Sequence, residues 1–293
     1  MSPTAHPASL TLTDAELLSA VAAKAAAAAR LLSHAARDFA PAAFSTSLSA
    51  EDMVVLDLIL GGNLGIEIFT LDTGRLPAET YELLARAERH YGRRIKVYSP
   101  RHDLVEAYVG QHGLDGFYDS VEARKACCQA RKVEPLRRAL DGKKAWVTGL
   151  RAAQATTRTA LKPLSHDEAF ALVKVNPLHD WSEADVWTYI HANRVPYNAL
   201  HDRGYPSIGC APCTRAIAAG EDIRAGRWWW ESPNTKECGL HVSPDGTLVR
   251  TSSKANVGEA EVKAPEGAGR RQITNEECGL HVVDGRLQRI KAA

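Results

Sequence analysis

Apolar and polar positions along the chain switch repeatedly between a helical and an extended period. The run AELLSAVAAKAAAAARLLSHAARDF predicts a helix over 13–37, because alanine has the highest helix propensity and Thr13 with Glu16 makes a capping box. Short β-rich runs follow at 42–45, at GIEIFTLD (65–72), at RIKVYSP and at AWVTGLR. Between them lie helical patterns: MVVLDLIL, PAETYELLARAERHYG with Pro77 near its start, a segment from about Asp103, and residues 129–139. DWSEADVWTYIHANRV is a further helix, with Ser182 as its cap and Asp185 in place of the usual Glu or Gln. Strands alternating with helices predict an α/β fold, a mostly parallel sheet flanked by helices. Ligands in such folds sit beyond the carboxyl ends of the strands. Three polar segments fall there: STSLSAED, LDTGR and TGLRAAQATTR. After Arg215 the pattern weakens, and from about Ser243 the chain reads as Gly-, Lys- and Glu-rich linker.

Composition narrows the partners. The 293 residues carry 36 Lys+Arg against 35 Asp+Glu, a balance that gives no reason to expect nucleic acid or lipid. The start, MSPTAHPASL, lacks a charged region followed by a long apolar run, and no stretch approaches the length of a membrane span. A cytoplasmic location is expected. Six cysteines scattered unevenly in a chain of this length suit ligands, nucleophiles or buried thiols better than a disulfide framework.

Candidate chemistry begins with FSTSLSAEDMVV. Hydroxyls and successive backbone amides between a strand and a helix can cradle anionic oxygens, although the GK[ST] ending of a Walker A loop is absent. Arg75, Lys132, Arg151, Arg158, Arg224 and Arg227 lie near turns and supply candidate donors for a dianion. EARKACCQARK places Cys127 beside Cys128, and SIGCAPCTR places Cys210 and Cys213 at metal-ligand spacing. From spacing alone an iron–sulfur cluster, zinc, a redox CxxC and plain buried thiols remain alternatives.

Taken in order, FSTSLSAED, LDTGRLPAETY, CCQARKVEPL, TGLRAAQATTR, NPLHDWSEADVW, VPYNALHDRGYPSIGCAPCTR, AGRWWWE and KECGLH resemble the assimilatory adenylyl-sulfate (APS) reductases of the iron–sulfur type, within the broader phosphoadenylyl-sulfate (PAPS) reductase family. The resemblance covers roughly residues 40–242. It implies an adenine nucleotide alpha hydrolase-like (ATP pyrophosphatase-like) fold with a mobile C-terminal segment. It also implies a [4Fe-4S] cluster held by Cys127, Cys128, Cys210 and Cys213, with Lys132 linking cluster and substrate charge. Ser45, Ser47, Glu51 and Asp52 match the modified pyrophosphate loop; Leu71 and Gly149 match backbone contacts to the adenosine; Arg151, Arg224 and Arg227 match phosphosulfate-binding positions. Ser49 stands where relatives usually carry Gly, and Arg151-Ala152-Ala153-Gln154 replaces an Arg-Arg-Asp-Gln stretch.

The resemblance implies thioredoxin- or glutaredoxin-dependent reduction of adenylyl sulfate to sulfite and AMP. Cys238, after RWWWESPNTKE, is the expected nucleophile and forms an S-sulfonated intermediate. ECGLHV recurs around Cys278, with a DG-x-L-x-R echo after both copies. His241 and Cys278 are auxiliary candidates. The expected organisation is a helical segment over 1–39, a nucleotide- and cluster-binding domain over 40–226, a mobile catalytic segment over 227–242 and a partly flexible extension over 243–293. A homo-oligomer is compatible with this reading. The competing functions are PAPS reduction, an ATP pyrophosphatase-type adenylyl transferase or thiolation enzyme, and a nonenzymatic zinc-binding module. The SGG-x-DS loop typical of the second is replaced here by Ser45-Thr46-Ser47-Leu48-Ser49.

Overall fold

The computed structural model describes residues 14–154 and 161–232, and the backbone of 280–283 and 286–289. Helix α1 (Asp14–Asp38) buries Val21, Ala25, Ala28, Leu32 and Ala35, a helical stripe narrow enough for close approach to its neighbours. Strand β1 (Ala42–Thr46) leads into α2 (Ala50–Gly61), and β2 (Ile66–Leu71) into α3 (Ala78–Tyr91). Strand β3 (Lys96–Tyr98) precedes α4 (His102–His112), α5 (Val121–Cys128) and α6 (Glu134–Leu140). Strands β4 (Ala145–Val147), β5 (Leu164–Asp167) and β6 (Leu172–Val175) then precede α7 (Glu183–Asn193). The order across the sheet is β3-β2-β1-β4-β6-β5. All neighbours pair in parallel except β5, which runs antiparallel to β6 at the edge.

Alternation along β1 decides which face each residue feeds. Ala42 and Phe44 join a large core with α1, α2, α3 and α7, whereas Ala43 joins Phe69, Trp146, Leu136 and Leu140 under α6. Helix α2 is buried from Met53 to Ile59, which explains its nearly unbroken apolar sequence. The exception, Asp57, accepts from Tyr91 Oη at 2.9 Å and Tyr189 Oη at 2.7 Å, so a buried carboxylate pins α3 and α7 to α2. At α7 the substituted capping box closes as expected: Asp185 N donates to Ser182 Oγ, and Ser182 N donates to Asp185 Oδ2. Lys24 Nζ of α1 reaches the same carboxylate at 2.7 Å.

The chain leaves β1 for β2 and β3 on one side and returns to β4 on the other. The crevice for a ligand therefore opens above β1 and β4. Strands β7 (Leu280–Val283) and β8 (Arg286–Arg289) form a separate antiparallel hairpin beside α1 and α7. The Thr13 cap, Arg158, Cys238, His241, Cys278 and the linker after Ser243 lie outside the described residues. Among the described residues, no helix is long and apolar enough to cross a membrane.

Candidate active site

The three polar strand exits converge. Ser45 near the end of β1, Ser47, Glu51 and Asp52 just beyond it, Leu71 at the end of β2, and Gly149 and Arg151 after β4 line one cavity of about 760 Å³. Lys132, Arg224 and Arg227 line it as well; of the other candidate donors, Arg75 faces the cysteine cavity instead and Arg158 lies outside the described residues.

The loop after β1 is built around Asp52. Its Oδ2 accepts from Ser47 N at 2.6 Å and Ser47 Oγ at 2.7 Å, and Ser49 caps α2. Burial pushes Asp52 up to about 6, against the pull of the Ser47 bonds. The left-handed residue of this loop is Leu48 (φ 60), while Ser49 is extended at φ −69. The turn thus persists without a glycine at 49, at the cost of a buried leucine in a strained conformation. Gly149 is required by a close approach: a Cβ there would lie 2.2 Å from Asp52 Oδ1.

Arg151 is 4% exposed and gives Nε at 2.9 Å and Nη2 at 2.7 Å to Glu51 Oε1. Two donors of the expected phosphosulfate ligand are therefore committed to a carboxylate in this state, and the pair ties the β1 exit to the β4 exit. The Ala152-Ala153 departure follows as a single short 3-10 turn, and Gln154 Oε1 accepts from Arg151 N. Arg227 Nε donates to Cys213 O, linking the cavity wall to the cysteine loop.

Thr80, Lys174, Trp187, His191 and His201 also line the cavity. Thr80, Trp187 and His201 lie inside the segments LDTGRLPAETY, NPLHDWSEADVW and VPYNALHDRGYPSIGCAPCTR, whereas Lys174 and His191 carry no signal in the sequence. Burial lowers the His201 pKa, partly countered by Glu51.

The four cysteines meet at a second cavity, with Arg131, Lys132 and Trp228 in its wall. Its volume is about 20 Å³, room for roughly one water molecule. Among the described residues, no group of three or more His, Cys, Asp or Glu is placed to hold a metal ion. The expectation of a [4Fe-4S] cluster on Cys127, Cys128, Cys210 and Cys213 is therefore corrected. The thiols converge, but they enclose no cluster-sized space, and all four are free cysteines. Burial raises Cys127, pushes Cys128 up to about 11 and Cys213 up to about 12. Cys210 is also pulled up by burial, but Lys132, the Thr73 hydroxyl at 3.2 Å and Arg227 outweigh that and hold it below the usual thiol range.

A six-stranded, mostly parallel sheet with a serine-rich loop and a cavity lined by Lys132, Arg224 and Arg227 at its carboxyl edge defines an α/β protein of the adenine nucleotide alpha hydrolase-like type. The phosphoadenosine phosphosulfate reductase domain matches residues 41–216, and the chain belongs to that family. It is 62% identical over 216 residues to the adenosine 5'-phosphosulfate reductase of Allochromatium vinosum, covering 74% of this chain and 84% of that protein. The Burkholderia cepacia protein of the same name is 54% identical over 74% of this chain and 86% of its own length. A solved structure of the PAPS reductase from Candida auris, a phosphate complex, covers 71% of this chain and all of that one, with a TM-score of 0.56 and 26% identity.

Proposed function

We propose that this protein reduces adenylyl sulfate to sulfite and AMP in assimilatory sulfate reduction. The observation that carries the reading is the single cavity in which the anion loop, Lys132, Arg224 and Arg227 face one another. The 62% and 54% identities to adenosine 5'-phosphosulfate reductases favour adenylyl sulfate over its 3'-phosphorylated form.

The nucleotide lies across the β1 and β4 exits, its adenosine near the backbone of Leu71 and Gly149 and its phosphosulfate toward the cationic wall. The thiolate of Cys238 attacks the sulfate sulfur; the bond from sulfur to the bridging phosphate oxygen breaks and AMP leaves. Lys132, Arg224 and Arg227 offset charge gathering on the transferred sulfonyl and on the leaving phosphate. Arg151 acts in this scheme by exchanging its bond to Glu51 for the ligand. A dithiol reductant, thioredoxin or glutaredoxin, then attacks the S-sulfonated Cys238 and expels sulfite. Its second thiol resolves the mixed disulfide, returning Cys238 as a thiol and leaving the reductant oxidised by two electrons. A cytoplasmic location suits a cycle that consumes reduced thiols.

The test is incubation with adenylyl sulfate in the absence of reductant, followed by mass spectrometry. A sulfonate adduct on Cys238, released as sulfite when thioredoxin is added, is the expected result. No adduct on any cysteine, or pyrophosphate release that depends on ATP, would overturn the reading.

A further inference from the structure

Trp146 is 2% exposed and lines the large cavity together with Ser45 and Lys174. Strands β1 and β4 are neighbours, with Ala43 opposite Trp146, and Ser45 lies on the same face as Ala43, two residues further along β1. This register brings the indole to the serine: Trp146 Nε1 donates to Ser45 Oγ at 2.7 Å. The ring is held from two sides. Phe170 meets it edge-on with centroids 5.4 Å apart, and Lys174 Nζ sits 4.3 Å from its centroid. Lys174 is itself tied to Asp167 Oδ2 at 3.1 Å. An indole N–H only donates, whereas a hydroxyl both donates and accepts. Ser45 Oγ therefore serves Trp146 through a lone pair, and among the described residues its own hydrogen is given to no acceptor. Ser47 is set the opposite way. Its Oγ donates to Asp52 Oδ2 at 2.7 Å, so lone pairs are what it has left to offer the cavity.

We propose that Trp146 is a positioning residue for the substrate: by occupying the acceptor side of Ser45, it leaves that hydroxyl as a dedicated donor to an anionic oxygen of the nucleotide, on its phosphate or its sulfate. The proposal rests on the reading of this cavity as an adenylyl-sulfate site and deepens it by giving two serines of one loop different duties. Phosphate and sulfate oxygens are acceptors; a hydroxyl hydrogen attracts them and a lone pair repels them. With the indole N–H in place, Ser45 meets such an oxygen already turned the right way, and no rotor has to be fixed when the ligand arrives. Without it, the hydroxyl is free to turn and the contact loses its preorganisation.

The full-length parent, Trp146→Phe, Ser45→Ala and the double variant are compared by calorimetry with AMP and by the KM for adenylyl sulfate in thioredoxin-dependent sulfite release. Trp146→Phe keeps an aromatic ring and removes the donor. With Ser45 present it weakens AMP binding or raises the KM at least about five-fold; in the Ser45→Ala background it changes neither by more than about two-fold. A general loosening of the fold acts equally in both backgrounds and produces no such split. Coupling seen with AMP assigns Ser45 to the phosphate, and coupling seen with adenylyl sulfate alone assigns it to the sulfate. If Trp146→Phe does not fold, benzothienylalanine incorporated in place of Trp146 decides: it exchanges the ring N–H for sulfur at nearly the same shape, and the same split is expected. Equal effects in both backgrounds, or no effect with either ligand, overturn the proposal. A parent that binds no AMP and releases no sulfite from adenylyl sulfate rejects the substrate reading, and this assignment with it, whatever the variants do.

Discussion

At the scale of single residues, Asp52 joins loop geometry to pH. Its unfolded side chain titrates near 3.8 and the folded one near about 6. Between those values the native state holds the extra proton, so this group's contribution to stability declines as pH rises through the window, and the full penalty stands above it. A shift of this size corresponds to ~3 kcal/mol. Asp52→Asn removes the titration. Urea unfolding of parent and variant at pH 4 and pH 7 is expected to show the difference moving in the variant's favour by up to ~3 kcal/mol toward the higher pH. A constant difference between the two pH values would show that Asp52 does not titrate in this range. Gly149 depends on the same carboxylate. Gly149→Ala forces a methyl to 2.2 Å from Asp52 Oδ1, and the neighbouring Asp52 N at 3.2 Å leaves little room to retreat. Loss of about 1–3 kcal/mol of stability and at least about ten-fold weaker AMP binding is expected, read by denaturation and calorimetry.

At the scale of elements, the two tyrosines that meet Asp57 show how polar groups orient an otherwise greasy layer. Tyr189→Phe removes the 2.7 Å donor to Asp57 Oδ2 while leaving the ring in place. A cost of about 1–3 kcal/mol is expected, measured as a lowered urea midpoint with an unchanged slope; no change would mean that another donor takes over. This scale also separates what could be read from the sequence from what could not. Helix α2 and strand β2 were legible because their apolar runs are long and bounded by turns, and Ser182 announced α7 despite Asp185. Strands β5 and β6 were not. Each spans four residues, and LVKV gains its place from pairing with β4, a long-range contact that leaves little trace in local period. The run at 129–139 reads as one helix, but the structure has a five-residue π-helical stretch, Gln129–Val133, between α5 and α6. A π insertion changes which way side chains point without changing which residues look helical. Lys132, within this stretch, lines both the large cavity and the cysteine cavity. Ser45, Ser47, Glu51, Asp52, Leu71, Gly149 and Arg151 share one cavity because each lies at or near a strand end, whereas Lys132 reaches it from the π-helical stretch and Arg224 and Arg227 from the loop after Cys213. The commitment of Arg151 to Glu51 was not legible, since a pairing across 100 residues has no local signature.

At the scale of the whole molecule, the two copies of ECGLHV stand in different relations to the described body. The first begins a few residues after Glu231, close in sequence to Arg227 in the cavity wall. The second runs into β7, which pairs antiparallel with β8 beside α1 and α7. Matching sequence therefore does not imply matching duty. A thiol acts on a bound nucleotide only if its chain delivers it to the site often enough, and Cys238 follows Arg227 of the cavity wall by eleven residues in the sequence. Cys278→Ser is accordingly expected to retain adduct formation and sulfite release within about two-fold, and Cys238→Ser to lose both by at least about a thousand-fold, as removal of an essential nucleophile does. Single-turnover assays with each variant distinguish the two thiols directly: retention of the adduct in Cys238→Ser with its loss in Cys278→Ser would transfer the chemistry to the second copy.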